Sequence, residues 1–318
     1  MDAKELFTGM SDEALLETAQ AALEIVKDRN LEIPGLAGAV SVAETTTKET
    51  VTTTTTPEAT PTPEAPTIDS ETLLATLDTA LTTYGSLLDT VNGERAKVKG
   101  RKKPEQLKAV DQGAIRAEVE TLVSSPAILA DLQAEADYFT ANPETNSPAV
   151  GFDIVVIPEG LTATDEQAIA RDVQAKITKD YTPYIRDDRY NDKRTPEVTG
   201  KGYRVAFAPR HYNVPSDTTA NQTKWMNSAN ESTSSTQLQT ATDSEALAQI
   251  NNLHATGELN DTTTRYDKSY FRRFDQAPVG ACVSRVRVDD YGKLYLDGSR
   301  VRIDNSSRAL VVPKKLNT

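Results

Sequence analysis

The sequence predicts a mixed α+β fold, helical in its first part and α/β in its second, ending in a β-meander. Three observations carry this expectation. Apolar residues recur at helical spacing before residue 145, short β-branched runs closed by proline follow residue 150, and a Thr/Pro-rich stretch interrupts the first part. They divide the chain into an N-terminal amphipathic helix module (1–36), a Thr/Pro linker expected to be disordered (37–68), a helical hairpin or bundle (69–145) and an α/β domain (150–318).

The first helix has Ser11 as its cap, with Asp12 and Glu13 in the first turn where the helix dipole favours them. Leu15, Ala19, Ala22 or Leu23, and Val26 form its apolar stripe, which Leu16 widens, and Pro34-Gly35 stop it. Isolated helices are marginal in water, so the stripe needs a partner, either its own protein or another chain. Between Thr45 and Thr67, 12 of 23 residues are Thr, interspersed with Pro57, Pro61, Pro63 and Pro66. Such a segment has no apolar area to bury and reads as a semi-rigid spacer.

Leu73, Leu77, Leu81, Tyr84, Leu88 and Val91 make one continuous helix face, which Asn92-Gly93 is expected to end or bend. Arg95, Lys97, Lys99, Arg101, Lys102, Lys103 and Lys108 follow as a charge run in an interhelical loop. Ile115, Val119, Leu122 and Val123 mark another helix, and Pro126 opens one through Ile128, Leu129, Leu132 and Tyr138.

After Pro148, Phe152–Ile157 reads as a buried strand closed by Pro158, and Tyr203–Ala208 as a second closed by Pro209. Thr164-Asp165-Glu166-Gln167 and Thr242-Asp243-Ser244-Glu245 have capping-box spacing. The first precedes Ile169, Val173 and Ile177; the second precedes Leu247, Ile250 and Leu253, with Gly257 as the stop. Residues 180–201 read as a polar loop, and the Asn/Ser/Thr-rich region after 209 offers only Trp225-Met226 as an apolar signal. In the meander, Asp289-Asp290-Tyr291-Gly292 and Asp297-Gly298 are expected turns between alternating strands, and Ala309–Val312 is one more strand.

Composition narrows function. Residues 1–150 carry 12 basic and 25 acidic side chains, a net of −13, whereas 151–318 carry 23 and 22, a net of +1. Whole-chain attraction to nucleic acid is therefore not expected, although a local basic patch in the second half is open. No run approaches the ~18 apolar residues of a membrane span. The charged start, Met1-Asp2-Ala3-Lys4-Glu5, does not read as a signal peptide. The expected location is cytoplasmic at synthesis, with incorporation into a virion if the chain belongs to one. Sequons at Asn221, Asn230, Asn260 and Asn305 then read as a by-product of composition.

Cys282 is the only cysteine and His211 and His254 the only histidines, so no metal site is expected. Cys282 with either histidine would make a nucleophile pair, but a thiol entering a strand is usually buried and inert. His211 follows a strand end, where loops carry function; the bland alternative is a surface residue beside Tyr212. Asp187–Asp192 alternates acids as a calcium loop does, yet lacks the position-6 glycine and distal glutamate. No glycine-rich phosphate cradle or hydrolase signature occurs. Neither a cofactor nor a small-molecule substrate is expected, and no enzyme activity.

The remaining candidate is an interaction surface. If the terminal strands pair in sequence order, Arg285, Arg287, Lys293, Tyr295, Arg300 and Arg302 share one sheet face, near Tyr270-Phe271-Arg272-Arg273-Phe274. Leu15 and Leu23 are the corresponding contacts of the N-terminal helix. These features favour a non-catalytic structural or assembly protein contacting other subunits, with a minor bacteriophage virion component as the particular expectation. The alternative is a nucleic-acid-associated protein using the Arg/aromatic face.

Overall fold

The computed structural model describes residues 66–100, 103–141, 151–185, 200–210, 214–259, 271–272, 282–289, 291–300, 302 and 305–314. The expected N-terminal helix with Leu15 and Leu23, the Thr/Pro stretch before Pro66, the expected Asp187–Asp192 loop, His211 and Arg273 lie outside them.

The helices are α1 (Ser70–Leu74), α2 (Leu77–Lys97), α3 (Gln112–Val123), α4 (Pro126–Ala141), α5 (Ala163–Ile177), α6 (Thr219–Ser232) and α7 (Asp243–Ala255). The strands are β1 (Phe152–Pro158), β2 (Tyr184–Ile185), β3 (Tyr203–Pro209), β4 (Val214–Asp217), β5 (Thr236–Thr240), β6 (Phe271–Arg272), β7 (Cys282–Val288), β8 (Leu294–Arg300), β9 (Asn305–Ser307) and β10 (Ala309–Pro313). The fold is mixed α+β, as expected. One antiparallel sheet has the order β1-β3-β10-β5, a second β2-β8-β7-β6, and β4 pairs with β9.

The first sheet is buried on both faces at β1, β3 and β10, which is why those strands read as apolar runs. Phe152, Ile154, Val156, Val205, Phe207 and Val311 point into a core shared with α1, α3, α4 and α6. Val155, Ile157, Ala206, Ala208, Leu310 and Val312 point into a second core, with α5, α7 and the apolar side of the β7–β8 hairpin. Helix α2 supplies both: Leu77, Leu81, Tyr84 and Leu88 to the first core, Leu87 and Val91 to the second. Helices α1 to α4 thus share their cores with the strands after 150, and Thr62–Thr318 forms one compact unit.

Local chemistry fixes the ends. Asp69 caps α1, accepting from Thr72 N at 2.7 Å. The long face from Leu73 to Val91 is interrupted at Ala75-Thr76, because Thr76 Oγ1 donates to Leu73 O and accepts from Ile154 N of β1. Asn92-Gly93 does not end α2. The Asn92 amide clasps the Leu107 backbone at both N (2.8 Å) and O (3.0 Å), and the helix runs on to Lys97. The capping box of α5 forms at Thr162 and Asp165, two residues earlier than its expected start, and that of α7 at Thr242 and Glu245 as expected. Helix α7 closes in a Schellman motif: Glu258 N reaches Leu253 O and Gly257 N reaches His254 O, with Gly257 at φ 78°.

The meander follows expectation through one hairpin. Gln174 of α5 holds its turn, donating to Gly292 O at 3.0 Å and accepting from Leu294 N at 2.7 Å. Gly292 adopts φ +79°, and a Cβ there would lie 3.2 Å from Ile177 Cγ2. Asp297-Gly298, expected as a turn, lies inside β8. Asp297 is drawn into the ladder by Arg285 of the facing strand. The chain then leaves the hairpin: β9 joins β4, and β10 inserts between β3 and β5.

Both edges of the first sheet are closed by side chains that imitate a neighbouring strand, which blunts edge-to-edge pairing. At β1, Ile154 N donates to Thr76 Oγ1 and Ile154 O accepts from Asn252 Nδ2. At β5, Asn230 takes both backbone groups of Leu238 (2.6 and 2.9 Å), while Asp131 accepts from Thr236 N and Thr233 donates to Thr236 O. Asn230→Ala is expected to cost about 1–3 kcal/mol by stripping these groups of partners. Chemical denaturation measures the loss, and light scattering should show concentration-dependent association through the opened edge.

Candidate interaction surface

The outer face of the β7–β8 hairpin is built by cross-strand pairing, with Val286, Val288, Leu294 and Leu296 turned to the core. The register places Arg285 opposite Asp297 and Arg287 opposite Tyr295, and the turn is closed by Asp289 N donating to Lys293 O. Arg285 and Asp297 form a bidentate pair, Nε–Oδ1 and Nη2–Oδ2 both 2.8 Å. The Arg287 guanidinium stacks on the Tyr295 ring, 3.9 Å from its centroid, and the Lys293 ammonium lies 5.5 Å from the same ring.

Tyr295 is held from two sides. Its hydroxyl donates to Asp289 Oδ2 at 3.0 Å, and Tyr184, its parallel neighbour on β2, packs with ring centroids 5.6 Å apart. Burial, then that hydrogen bond, push the phenol above its ordinary 10.0. Tyr291 in the turn is 77% exposed and Tyr184 40%. The face therefore offers aromatic rings and a few cations interleaved with carboxylates.

Not all of the expected set gathers here. Arg285, Arg287, Lys293 and Tyr295 share the face. Arg300 pairs with Cys282, placing position 300 in the register of Leu294 and Leu296 rather than of Lys293 and Tyr295. The missing turn at Asp297-Gly298 is the reason: an uninterrupted strand keeps its period of 2 past residue 298. Arg302 lies beyond the strand end and is exposed, and Arg272 on β6 is in register with Arg285. Within the 95–108 charge run, Arg95 is an exception to solvation. It is 7% exposed and bonded to Asp165, Glu105 O and Gly160 O.

The buried polar chemistry centres on α7, every residue of which from Asp243 to Leu253 is buried. Asp243 accepts from Ser284 of β7, Ser244 donates to Glu166 of α5, Asn251 to Thr83 of α2, and Asn252 to Ile154 O of β1. Gln249 donates to Pro209 O at 3.1 Å and approaches Asp153, which is also paired with Arg210 at 2.7 Å. Arg308, the largest fully buried side chain, donates to Pro209 O. These groups tie elements together: each accounted carboxylate or amide reaches a protein partner on a different element. Sequence periodicity read α7 as one-sided from Leu247, Ile250 and Leu253; its dense run of Asp, Ser, Glu, Gln and Asn between Leu positions was the available signal.

Cys282 is buried at the start of β7. His254 stands in the last turn of α7, half-buried in a cleft of 600 Å³ with Thr83, Ser86 and Lys176, and Cys282 is not among the residues lining it. Among the described residues no group of three His, Cys, Asp or Glu side chains is placed to hold a metal, and no helix is long and apolar enough to cross a membrane. A second concavity of 540 Å³ lies between α4 and α6, with Tyr138 and Trp225 on its walls and Leu238 and Val311 among its lining. Comparison with protein families, with curated proteins and with solved structures finds no match to this chain.

Proposed function

We propose that this chain is a non-catalytic structural or assembly protein that contacts other subunits, and that its setting is a minor component of a bacteriophage head or tail. The observation carrying the contact role is the hairpin face. Arg287 stacks on Tyr295, Tyr184 packs on the same ring and Tyr291 stands exposed in the turn of the same hairpin; Tyr and Arg are the residue types that anchor protein interfaces. Support for the assembly setting comes from the sequence: a helix module, a Thr/Pro spacer and a compact C-terminal body are parts that position one thing against another.

The same face argues against the nucleic-acid alternative. Asp289 and Asp297 stand among Arg285, Arg287 and Lys293, leaving a net charge of about +1 where a phosphate track gains affinity from every uncompensated cation. The test is sedimentation of native-source material through a density gradient with detection of this chain. Migration with a large particle is expected; migration as a 34.6 kDa species removes the assembly reading.

A further inference from the structure

Arg287 and Lys293 are brought to one tyrosine ring, and the nearby carboxylates are engaged elsewhere: Asp297 pairs with Arg285, and Asp289 accepts from the Tyr295 hydroxyl and the Lys293 backbone N–H. Neither has an ion pair among the described residues, whereas Arg285 beside them is neutralised by Asp297. Arg287 Nε is moreover enclosed without an acceptor. Two like charges converging on one ring repel, and a buried donor without a partner is unfavourable, so the arrangement is held in place at a cost. What holds it is visible: the cross-strand pairing of Arg287 with Tyr295, the Tyr295–Asp289 hydrogen bond, and Tyr184 against the ring.

We propose that this constellation is a pre-organised carboxylate-binding clamp, and that its occupant is an acidic segment of a protein partner. The proposal rests on the contact role given above and supplies the partner's chemistry. A Glu or Asp side chain lying over Tyr295 accepts from the outer Arg287 nitrogens and from Lys293, while Tyr184 and Tyr291 flank the segment. Guanidinium matches a carboxylate in plane and geometry, and stacking on a ring fixes its orientation before binding. A polyphosphate backbone would meet Asp297 on one side of Arg287 and Asp289 on the other.

The experiment uses the full chain and three labelled probes in fluorescence-anisotropy titrations: a Glu-rich dodecapeptide, its Gln counterpart, and a twelve-nucleotide oligothymidine. Binding of the Glu peptide is expected, with at least ten-fold weakening in Arg287→Ala, comparable weakening in Arg287→Lys, and several-fold weakening in Lys293→Ala. The Gln peptide should bind at least ten-fold more weakly than the Glu peptide. Because Arg287 makes no hydrogen bond among the described residues, its variants should melt with the wild type, so a loss of binding is not a loss of fold. Absence of Glu-peptide binding, binding indifferent to Arg287, or tighter Arg287-dependent binding of oligothymidine would each overturn the proposal. Gradient sedimentation separates the two failures: a chain that travels with a particle yet ignores the peptide keeps its assembly role and loses the clamp.

Discussion

Arg95→Ala is expected to destabilise the protein by about 3–5 kcal/mol, the usual cost of removing one partner of a buried ion pair. Arg95 projects from the last turn of α2, and its guanidinium is almost fully committed. Nε and Nη2 bond the two Asp165 oxygens at 3.1 and 2.6 Å, Nη2 also reaches Gly160 O at 2.8 Å, and Nη1 reaches Glu105 O at 2.5 Å. One side chain therefore joins α2, the loop before α3 and the N-terminus of α5. Replacing both charges, as in Arg95→Met/Asp165→Asn, should recover part of the loss, because no unpaired carboxylate is left behind.

The pH dependence has a definite sign. Burial pushes the Asp165 carboxyl up, but hydrogen bonds from Arg95 and Thr162 outweigh it and hold the group below its ordinary 3.8. Its contribution to stability is present above that value and is lost as pH falls through the lowered one. Without Arg95 the carboxyl moves upward, so the deficit of Arg95→Ala is greatest near neutrality and shrinks in acid. Urea unfolding at several pH values measures it. A deficit under 1 kcal/mol at neutral pH would show that the pair contributes no more than an exposed one.

Arg210→Ala is expected to cost a similar amount, about 3–5 kcal/mol, by orphaning Asp153 on β1. The Asp153 carboxyl is buried among Ala208, Pro209 and Gln249, and burial raises it above its ordinary 3.8 although Arg210 pulls the other way. A raised carboxyl has the opposite sign from Asp165: its contribution is full below the unfolded value and declines as pH rises through the folded one. Losing Arg210 raises it further and extends that decline to higher pH. Thermal melting should show a drop of roughly 6–20 °C at neutral pH for a unit of this size, with partial recovery on acidification. A drop that is independent of pH would mean that the Arg210 stem, rather than its charge, carries the effect.

How much of this was legible depends on whether local pattern or tertiary partners decided each element. β1, β3, β10 and α7 were readable because a run such as Ile154–Ile157 or the Thr242–Glu245 box encodes its structure within a few residues. Helix α6 and strand β5 were not. Thr219–Ser232 is rich in Asn, Thr and Ser and Thr236–Thr240 in Thr and Gln, and they are ordered by Trp225, Met226 and Leu238 packing into the core shared with α4 and by Asn230 closing the edge. The break at Thr76 and the continuation through Asn92-Gly93 are likewise set by Ile154 and Leu107, far away in sequence.

The interaction face was legible in part for the same reason. Alternation located Arg285, Arg287, Lys293 and Tyr295 on one side, since period 2 is local. Alternation alone could not show that Asp297 stays in the strand and cancels Arg285, nor that Tyr184 arrives from β2 to brace Tyr295. The buried polar side chains of α7 were illegible because a helix with one Leu stripe looks the same whether its other faces meet water or the protein.

The central claim is that the tyrosine-rich hairpin face holds this protein in an assembly. The measurement that tests it most directly is gradient sedimentation from the native source of the wild type beside Tyr184→Ser/Tyr291→Ser, two exposed positions whose loss should leave the cores intact. The account predicts that the wild type travels with a large particle and the double variant stays near the top as a folded monomer. Co-migration of both with the particle would place the contact elsewhere, and a wild type that remains at the top would contradict the assembly role itself.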